Sequence, residues 1–266
     1  MKKIYNSKIL RLKEKSLNLR LKIIEYTKIK SSFLGSCFSC LDIIIFLYNH
    51  FLKINKKNIS KKKRDTFILS KGHAAPALYA VLNDLNIINK SLFLSDKTYW
   101  HPEKSVKGVD FQTGALGHGF SIGIGIAKYY KINHINKWVV VMVGDGELNE
   151  GSVWESFLIS KNWSLGNLII IIDKNKFQAN DETNKVLSLG SLEKKISSFD
   201  LKLIKLNGHS YKDMKKKFSK LKKDNIPKVI VANTKRNFGI SRIQNKKEYW
   251  YVDKSEKKLN QFIVNL

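Results

Sequence analysis

The chain has 266 residues, of which 43% are hydrophobic and 11% aromatic, which is enough apolar material for a sizeable core and excludes a wholly disordered chain. Forty-nine Lys and Arg against 22 Asp and Glu give a formal charge of +27, a balance that would suit nucleic acid or an anionic surface. The carriers argue against that: 44 are Lys and 5 are Arg, alongside 30 Ile, 23 Asn and 8 Ala. Lys, Ile and Asn share A/T-rich codons, so much of the charge is attributed to a biased genome. Arg, the bidentate reader of bases and phosphates, is what a selected nucleic-acid site would enrich. Nucleic acid is therefore not expected as the main partner, and Lys61-Lys62-Lys63-Arg64 and Lys215-Lys216-Lys217 are taken as solvated faces. No apolar run approaches the roughly 20 residues needed to span a bilayer. The N-terminus MKKIYNSKILRLKEK lacks an apolar signal core. Two cysteines are too few for a disulfide framework, so a cytoplasmic globular protein without a membrane partner is expected.

In chain order, residues 4–30 space Ile, Leu and Tyr three and four apart among Lys and Glu, which predicts a long amphipathic helix or a helix pair. Residues 39–52 predict a mostly buried helix with Ser39 as its N-cap. A basic connection over 53–64 leads to a short strand at 67–69, then helices at 75–86 and 117–131. The β-branched run at 138–143 is a buried strand that ends on Gly144-Asp145-Gly146. A helix over 150–163, a strand over 167–173, a strand over 201–206, a helix over 210–223 and a strand over 228–232 complete the series. Strands alternating with helices predict a doubly wound, mainly parallel α/β sheet with helices on both faces. Continuous apolar strands agree, because such sheets are covered on both sides. One domain over 1–266 is expected, with a helical N-terminal region over 1–60 and an irregular C-terminal tail over 236–266.

The strongest chemical signal is VVVMVGDGELNEGSVWES, residues 139–156. Ligands of open α/β sheets sit beyond the carboxyl ends of strands, where Asp145 falls. Gly144 and Gly146 are expected to let the backbone turn sharply and approach a ligand. A carboxylate so placed suits a hard cation, and Mg²⁺ bridges protein oxygens to phosphate oxygens. Thirty residues on, the next strand ends in Asp173-Lys174-Asn175, and Asn175 offers a neutral oxygen at a second strand tip. A bare GDG is more often only a tight turn; the paired pattern is far more specific.

That paired pattern resembles the thiamin diphosphate fingerprint, and GDGELNEGSVWE resembles the transketolase branch. SKGHAAPALYAVL (residues 70–82), HPE (101–103), TGALGHGFSIGIGIA (113–127) and NGHS (207–210) resemble further transketolase segments. The resemblance runs from about Leu17 to Tyr251 and covers the diphosphate-binding half of a full-length transketolase. It implies the N-terminal subunit of a split transketolase, a transferase of pentose phosphate metabolism. Such an enzyme passes a two-carbon ketol unit between sugar phosphates. The cofactors implied are thiamin diphosphate and Mg²⁺. Asp145, Asn175 and the Phe177 carbonyl would ligate the metal. His73, Gly114, Ala115, Leu116, Gly146 and Asn175 would bind the cofactor. His101 would lie near the substrate's reacting oxygens, and Glu150 would join an acidic network between paired sites. Because the family's pyrimidine-activating Glu lies in another domain, the resemblance also implies a C-terminal pyrimidine-domain subunit on a separate chain, in a heterotetramer.

Two departures stand against an unaltered mechanism. Phe33 and Trp250 occupy positions where family histidines face the substrate, and neither side chain can transfer a proton. Two other readings remain open: another thiamin diphosphate enzyme, of the deoxyxylulose-phosphate synthase or 2-oxoacid dehydrogenase kind, or, supported by Phe33 and Trp250, a cofactor-binding module that has lost turnover. Cys37-Phe38-Ser39-Cys40 has redox spacing, but without a second cysteine pair neither redox chemistry nor zinc is expected.

Overall fold

The computed structural model describes residues 2–60 and 64–266, with side chains from Ser7 onward; Lys61, Lys62 and Lys63 lie outside the described residues. The first element is one continuous helix, α1 (Lys2–Lys30), rather than a pair. Leu12, Ser16, Leu19, Ile23, Tyr26 and Lys30 are buried at alternating four- and three-residue steps, which draws one stripe along it. The next helix, α2 (Leu34–Phe46), is buried at every residue and starts five residues before Ser39. Ser39 is therefore not a cap: from inside the helix its Oγ donates to Asp173 Oδ2 at 2.6 Å. Together with the turn Leu47–Phe51 this helix makes an 18-residue apolar stretch, longer than the sequence reading allowed, and 83% of it is buried within the fold. Its apolarity serves a core helix.

Five strands form the sheet: β1 (Thr66–Leu69), β2 (Val139–Gly144), β3 (Leu168–Lys174), β4 (Lys202–Asn207) and β5 (Lys228–Asn233). They lie in the order β1-β2-β3-β5-β4, and every pairing is parallel. Val139, Val141, Val143, Ile170, Ile172, Val229 and Val231 face one way, where α4 (His118–Ile132) and α5 (Gly151–Asn162) cover them. Val140, Met142, Ile169, Ile171, Ile230 and Ala232 face the other, against α1, α2, α3 (Ala75–Asp84) and α6 (Tyr211–Phe218). Each fully buried Val or Ile contributes roughly 1.5–3 kcal/mol, so these two faces are the main source of stability. The helix expected over 210–223 ends at Phe218, although Leu221 continues the stripe of Tyr211, Met214 and Phe218 and packs against the core.

Connections β1 to β2 and β2 to β3 run in one direction along the sheet. The last, from β4 to β5 through α6, runs back on the opposite face, as right-handed crossovers require. The residues that follow β1, β2, β3 and β5 therefore converge at one end of the sheet. A two-stranded hairpin, Phe177–Gln178 with Asp181–Glu182, stands over that end. The tail over 236–266 has only short helical turns, yet it is tightly packed. Ser32 and Val252 exchange backbone hydrogen bonds of 3.0 and 2.8 Å, and Ile240, Ile243, Val252 and Leu259 enter the core. This places Trp250 beside α2.

A candidate diphosphate and metal site at the strand ends

β2 and β3 pair in register with Gly144 opposite Asp173, so both chains leave the sheet at the same level. Asp145 is 4% exposed. Its Oδ1 accepts the Gly146 N–H at 3.0 Å and its Oδ2 the Lys176 N–H at 2.6 Å. Asn175 Oδ1 accepts the Phe177 N–H at 2.9 Å. The loop backbone thus fixes both side chains. Burial, and then the nearby Asp173 carboxylate, push the Asp145 carboxyl up to about 7. A cation at this point would relieve that penalty directly.

Beneath Asp145 lies a buried ion pair that the sequence reading assigned no role. Lys71, from the turn after β1, donates from Nζ to Asp173 Oδ2 at 2.5 Å and to the Ser36 carbonyl at 3.2 Å. Against the cost of burial, Lys71 holds the Asp173 carboxyl below the usual range, and Asp173 holds the ammonium above its own. The pair therefore leaves Asp145 as a separate buried charge. Burial, with Lys71 next in importance, pushes the His73 imidazole down to about 3, so it stands neutral. Glu147 is fully engaged: Oε1 accepts from the Ser70 hydroxyl and the Gly117 N–H, and Oε2 from the Gly144 N–H.

Arg236, beyond β5, is 2% exposed and was also missed. Its guanidinium lies 4.6 Å from the centre of the Phe177 ring, and Nη1 donates to the Lys247 carbonyl at 3.4 Å. Nε has no hydrogen-bond partner among the described residues. Burial lowers the group to about 10, so it stays charged at neutral pH.

These residues surround a cavity of about 360 Å³. Its wall contains His73, Gly114, Leu116, Asp145, Gly146, Asn175 and Phe177 from the sequence-predicted set, with Lys71, Glu147 and Arg236 added. Three predicted residues stand off the wall. Ala115 is exposed beside it. His101 is half-buried behind Gly114, where an added Cβ would come 3.2 Å from its ring. Glu150 is exposed at the start of α5. Neither Gly144 nor Gly146 has the positive φ expected of a forced turn. At Gly144 the missing side chain leaves open space, since a Cβ there would meet only Lys71, at 3.9 Å, whereas at Gly146 it allows close packing, since a Cβ there would come 2.8 Å from the Gln178 side chain. Phe33 and Trp250 close one end of the cavity with ring centres 4.7 Å apart, backed by Tyr251 and Trp100 at 5.3 and 5.5 Å from Phe33. A larger, more open depression of about 960 Å³ meets the hairpin and the tail at Phe177 and Tyr249, but it contains none of the strand-end groups.

Among the described residues no three His, Cys, Asp or Glu side chains cluster closely enough to hold a metal. The set expected from the sequence is one carboxylate, one amide oxygen and one main-chain carbonyl, an all-oxygen set of the kind Mg²⁺ takes when phosphates and water complete its shell. Cys37 and Cys40 are both buried, and burial raises both thiols, which leaves them as inert core residues.

Fold and site together define an open α/β protein with a cavity beyond its strand ends, the place where proteins of this class bind their ligands. Residues 16–253 match the family described as "Transketolase, thiamine diphosphate binding domain", and the chain belongs to that family. It is 31% identical over 223 residues to one subunit of the apulose-4-phosphate transketolase of Phocaeicola vulgatus, covering 82% of this chain and 79% of that one. It is 31% identical over 267 residues to the transketolase of Homo sapiens, covering 97% of this chain and 42% of that one. The structure of the Leishmania mexicana transketolase superposes with a TM-score of 0.84 at 24% identity, over 94% of this chain and 40% of that one. The chain therefore spans about two fifths of these two transketolases and most of the length of the apulose-4-phosphate enzyme's subunit.

Proposed function

We propose that this chain is the diphosphate-binding subunit of a split transketolase, which moves a two-carbon ketol unit from a ketose phosphate to an aldose phosphate. The carrying observation is that Asp145 and Asn175, from adjacent parallel strands, meet on one cavity with a buried Arg236 whose Nε lacks a partner among the described residues. The residues fit Mg²⁺ and thiamin diphosphate. Asp145, Asn175 and the Phe177 carbonyl would hold the metal. The Gly146 N–H, neutral His73 and Arg236 would face diphosphate oxygens, Arg236 taking the charge-assisted bonds that its fork geometry favours. Gly114, Ala115 and Leu116 would flank the rings. Bound thiamin diphosphate supplies an electron sink that lets a C–C bond beside a carbonyl break.

The chain's own residues position the cofactor, exclude water and keep charges fixed. Phe33, Leu116 and Trp250 would keep water from the ring end. His101, behind Gly114, would reach the reacting oxygens. Among the described residues on the cavity wall the acids are Asp145 and Glu147, and backbone N–H groups engage both. Neither is free to act on the far ring of the cofactor. That supports a partner chain contributing a pyrimidine domain, with exposed Glu150 facing it, in a heterotetramer. The extent of the match to one subunit of the apulose-4-phosphate enzyme supports the same reading. A cofactor-binding module without turnover is the second reading, favoured only by the apolar Phe33–Trp250 wall.

The test is co-expression with the product of the neighbouring gene. Magnesium-dependent binding of thiamin diphosphate by calorimetry, with ketol transfer only in the assembled pair, is the expected result. Binding without transfer in the pair selects the module reading. Absence of binding refutes both.

A further inference from the structure

A buried polar network lies behind the cavity, outside every role given above. His209 sits in the turn after β4. Its Nε2 accepts the Lys235 backbone N–H at 2.9 Å, so the ring proton is on Nδ1, which donates to Asp42 Oδ2 at 2.8 Å. The imidazole stacks on Phe238 with centroids 3.6 Å apart and planes inclined by 15°. Asp42 also pairs with Arg20, whose Nε donates to the Phe238 carbonyl at 2.9 Å. Lys235 and Phe238 are thus both fastened from behind, and Arg236 lies between them. On the cavity side, among the described residues, little holds the guanidinium: one 3.4 Å hydrogen bond and the face of Phe177. Its stem runs flush against α2, where a Cβ on Gly35 would come within 2.8 Å of Arg236 Cγ. The main chain at 235–238 therefore sets where the guanidinium points.

We propose that His209 is a positioning residue for cofactor binding. By accepting the Lys235 N–H and stacking on Phe238, it holds Arg236 aimed at the diphosphate. This rests on the reading that Arg236 faces the diphosphate. Groups that support a ligand-binding side chain in this way govern affinity without touching the ligand.

The experiment is calorimetric titration of the full chain with thiamin diphosphate at saturating Mg²⁺, in wild-type and Arg236→Ala backgrounds. His209→Asn keeps a donor for Asp42 but leaves the Lys235 N–H without an acceptor, and it should weaken binding about tenfold. His209→Gln puts an amide oxygen near the lost Nε2 and should stay within about threefold of wild type. With Arg236→Ala already present, His209→Asn should add no further loss, because the residue acts through that side chain. Equal losses in both backgrounds overturn the proposal and leave His209 a general structural role. Wild-type affinity in Arg236→Ala also overturns it while leaving the cofactor reading intact. A wild-type chain that binds no thiamin diphosphate removes both. Should His209→Asn not fold by thermal melting, His209→Phe, which preserves stacking and loses both hydrogen bonds, carries the same expectation.

Discussion

Replacing Asp42 by Asn tests the buried electrostatics behind the site. Asp42 accepts hydrogen bonds from the Ser16 hydroxyl, Arg20 Nη1 and Nη2 at 3.1 and 2.9 Å, His209 Nδ1 at 2.8 Å and the Tyr211 hydroxyl at 3.0 Å. Its side chain is 3% exposed and that of Arg20 is 0% exposed, so water cannot take over either charge. Asn preserves the shape but removes the charge, and turns one acceptor into a donor aimed at other donors. Breaking a buried pair from one side costs about 3–5 kcal/mol. At roughly 2–4 °C per kcal/mol for a chain of this size, the melting temperature should fall by about 6–20 °C.

The pH dependence has a definite sign. Burial opposes the charge, but Arg20 and then His209 outweigh it and hold the Asp42 carboxyl below the usual carboxylate range. A carboxyl whose folded value is depressed stabilises fully above its unfolded value, near 4, and loses that contribution as pH falls toward the folded value. The gap between wild type and Asp42→Asn should therefore be widest at neutral pH and narrow by about 1 kcal/mol at pH 3. Urea denaturation followed by circular dichroism at pH 7 and pH 3 measures it. A gap below about 1 kcal/mol at pH 7, or one that is unchanged at pH 3, refutes the reasoning.

Three other outcomes are expected. Asp145→Asn should reduce magnesium-dependent thiamin diphosphate binding at least about a hundredfold. It should leave the melting temperature of the free chain unchanged or raised, because the carboxylate is buried against its own preference; a strong loss of stability would place Asp145 in the folding core instead. Phe33→His with Trp250→His should raise kcat/KM of the assembled enzyme for a ketose phosphate by roughly fivefold to tenfold, by giving sugar hydroxyls partners where rings now stand. No gain would mean that this wall does not face the substrate. Cys37 and Cys40 should resist alkylation at pH 8 in the native chain and react once it is unfolded in urea, because both are buried and raised. Rapid native labelling, followed by mass spectrometry, would show that α2 opens.

The central strands β2, β3 and β5 were legible because they are continuous apolar runs rich in β-branched residues with no competing helical period, and each run ends at Gly, Asp or Asn. Asp145 and Asn175 were legible for the same reason: strand ends are where such residues stand out. The start of α2 was not, since Ser39 has the chemistry of a cap, whereas the helix begins at Leu34 with no side-chain cap and is held by burial of every residue. Lys71 and Asp173 are 102 positions apart, and only the fold shows that the lysine neutralises one strand-end acid and leaves the next one for a cation. Arg236 stands in no motif that the sequence reading singled out. Its stem packs against Gly35, which is far from it in the chain. In the tail, Ile240, Ile243, Val252 and Leu259 follow no period that would have announced their burial.

The distribution of charge separates this site from the rest of the molecule. The chain as a whole carries +27, yet the cavity and the pair beneath it set two cations, Lys71 and Arg236, against three carboxyls, Asp145, Glu147 and Asp173. Lys71 is spent on Asp173, and Arg236 stands across the cavity from Asp145. A bare diphosphate would gain one guanidinium and meet one buried carboxylate, a nearly balanced exchange. The same diphosphate carrying Mg²⁺ would gain both, were Asp145 to hold the ion as proposed. The surface lysines can draw anions toward the protein, but on the proposed reading selection for the metal complex would belong to Asp145, a carboxylate that burial has made unfavourable on its own.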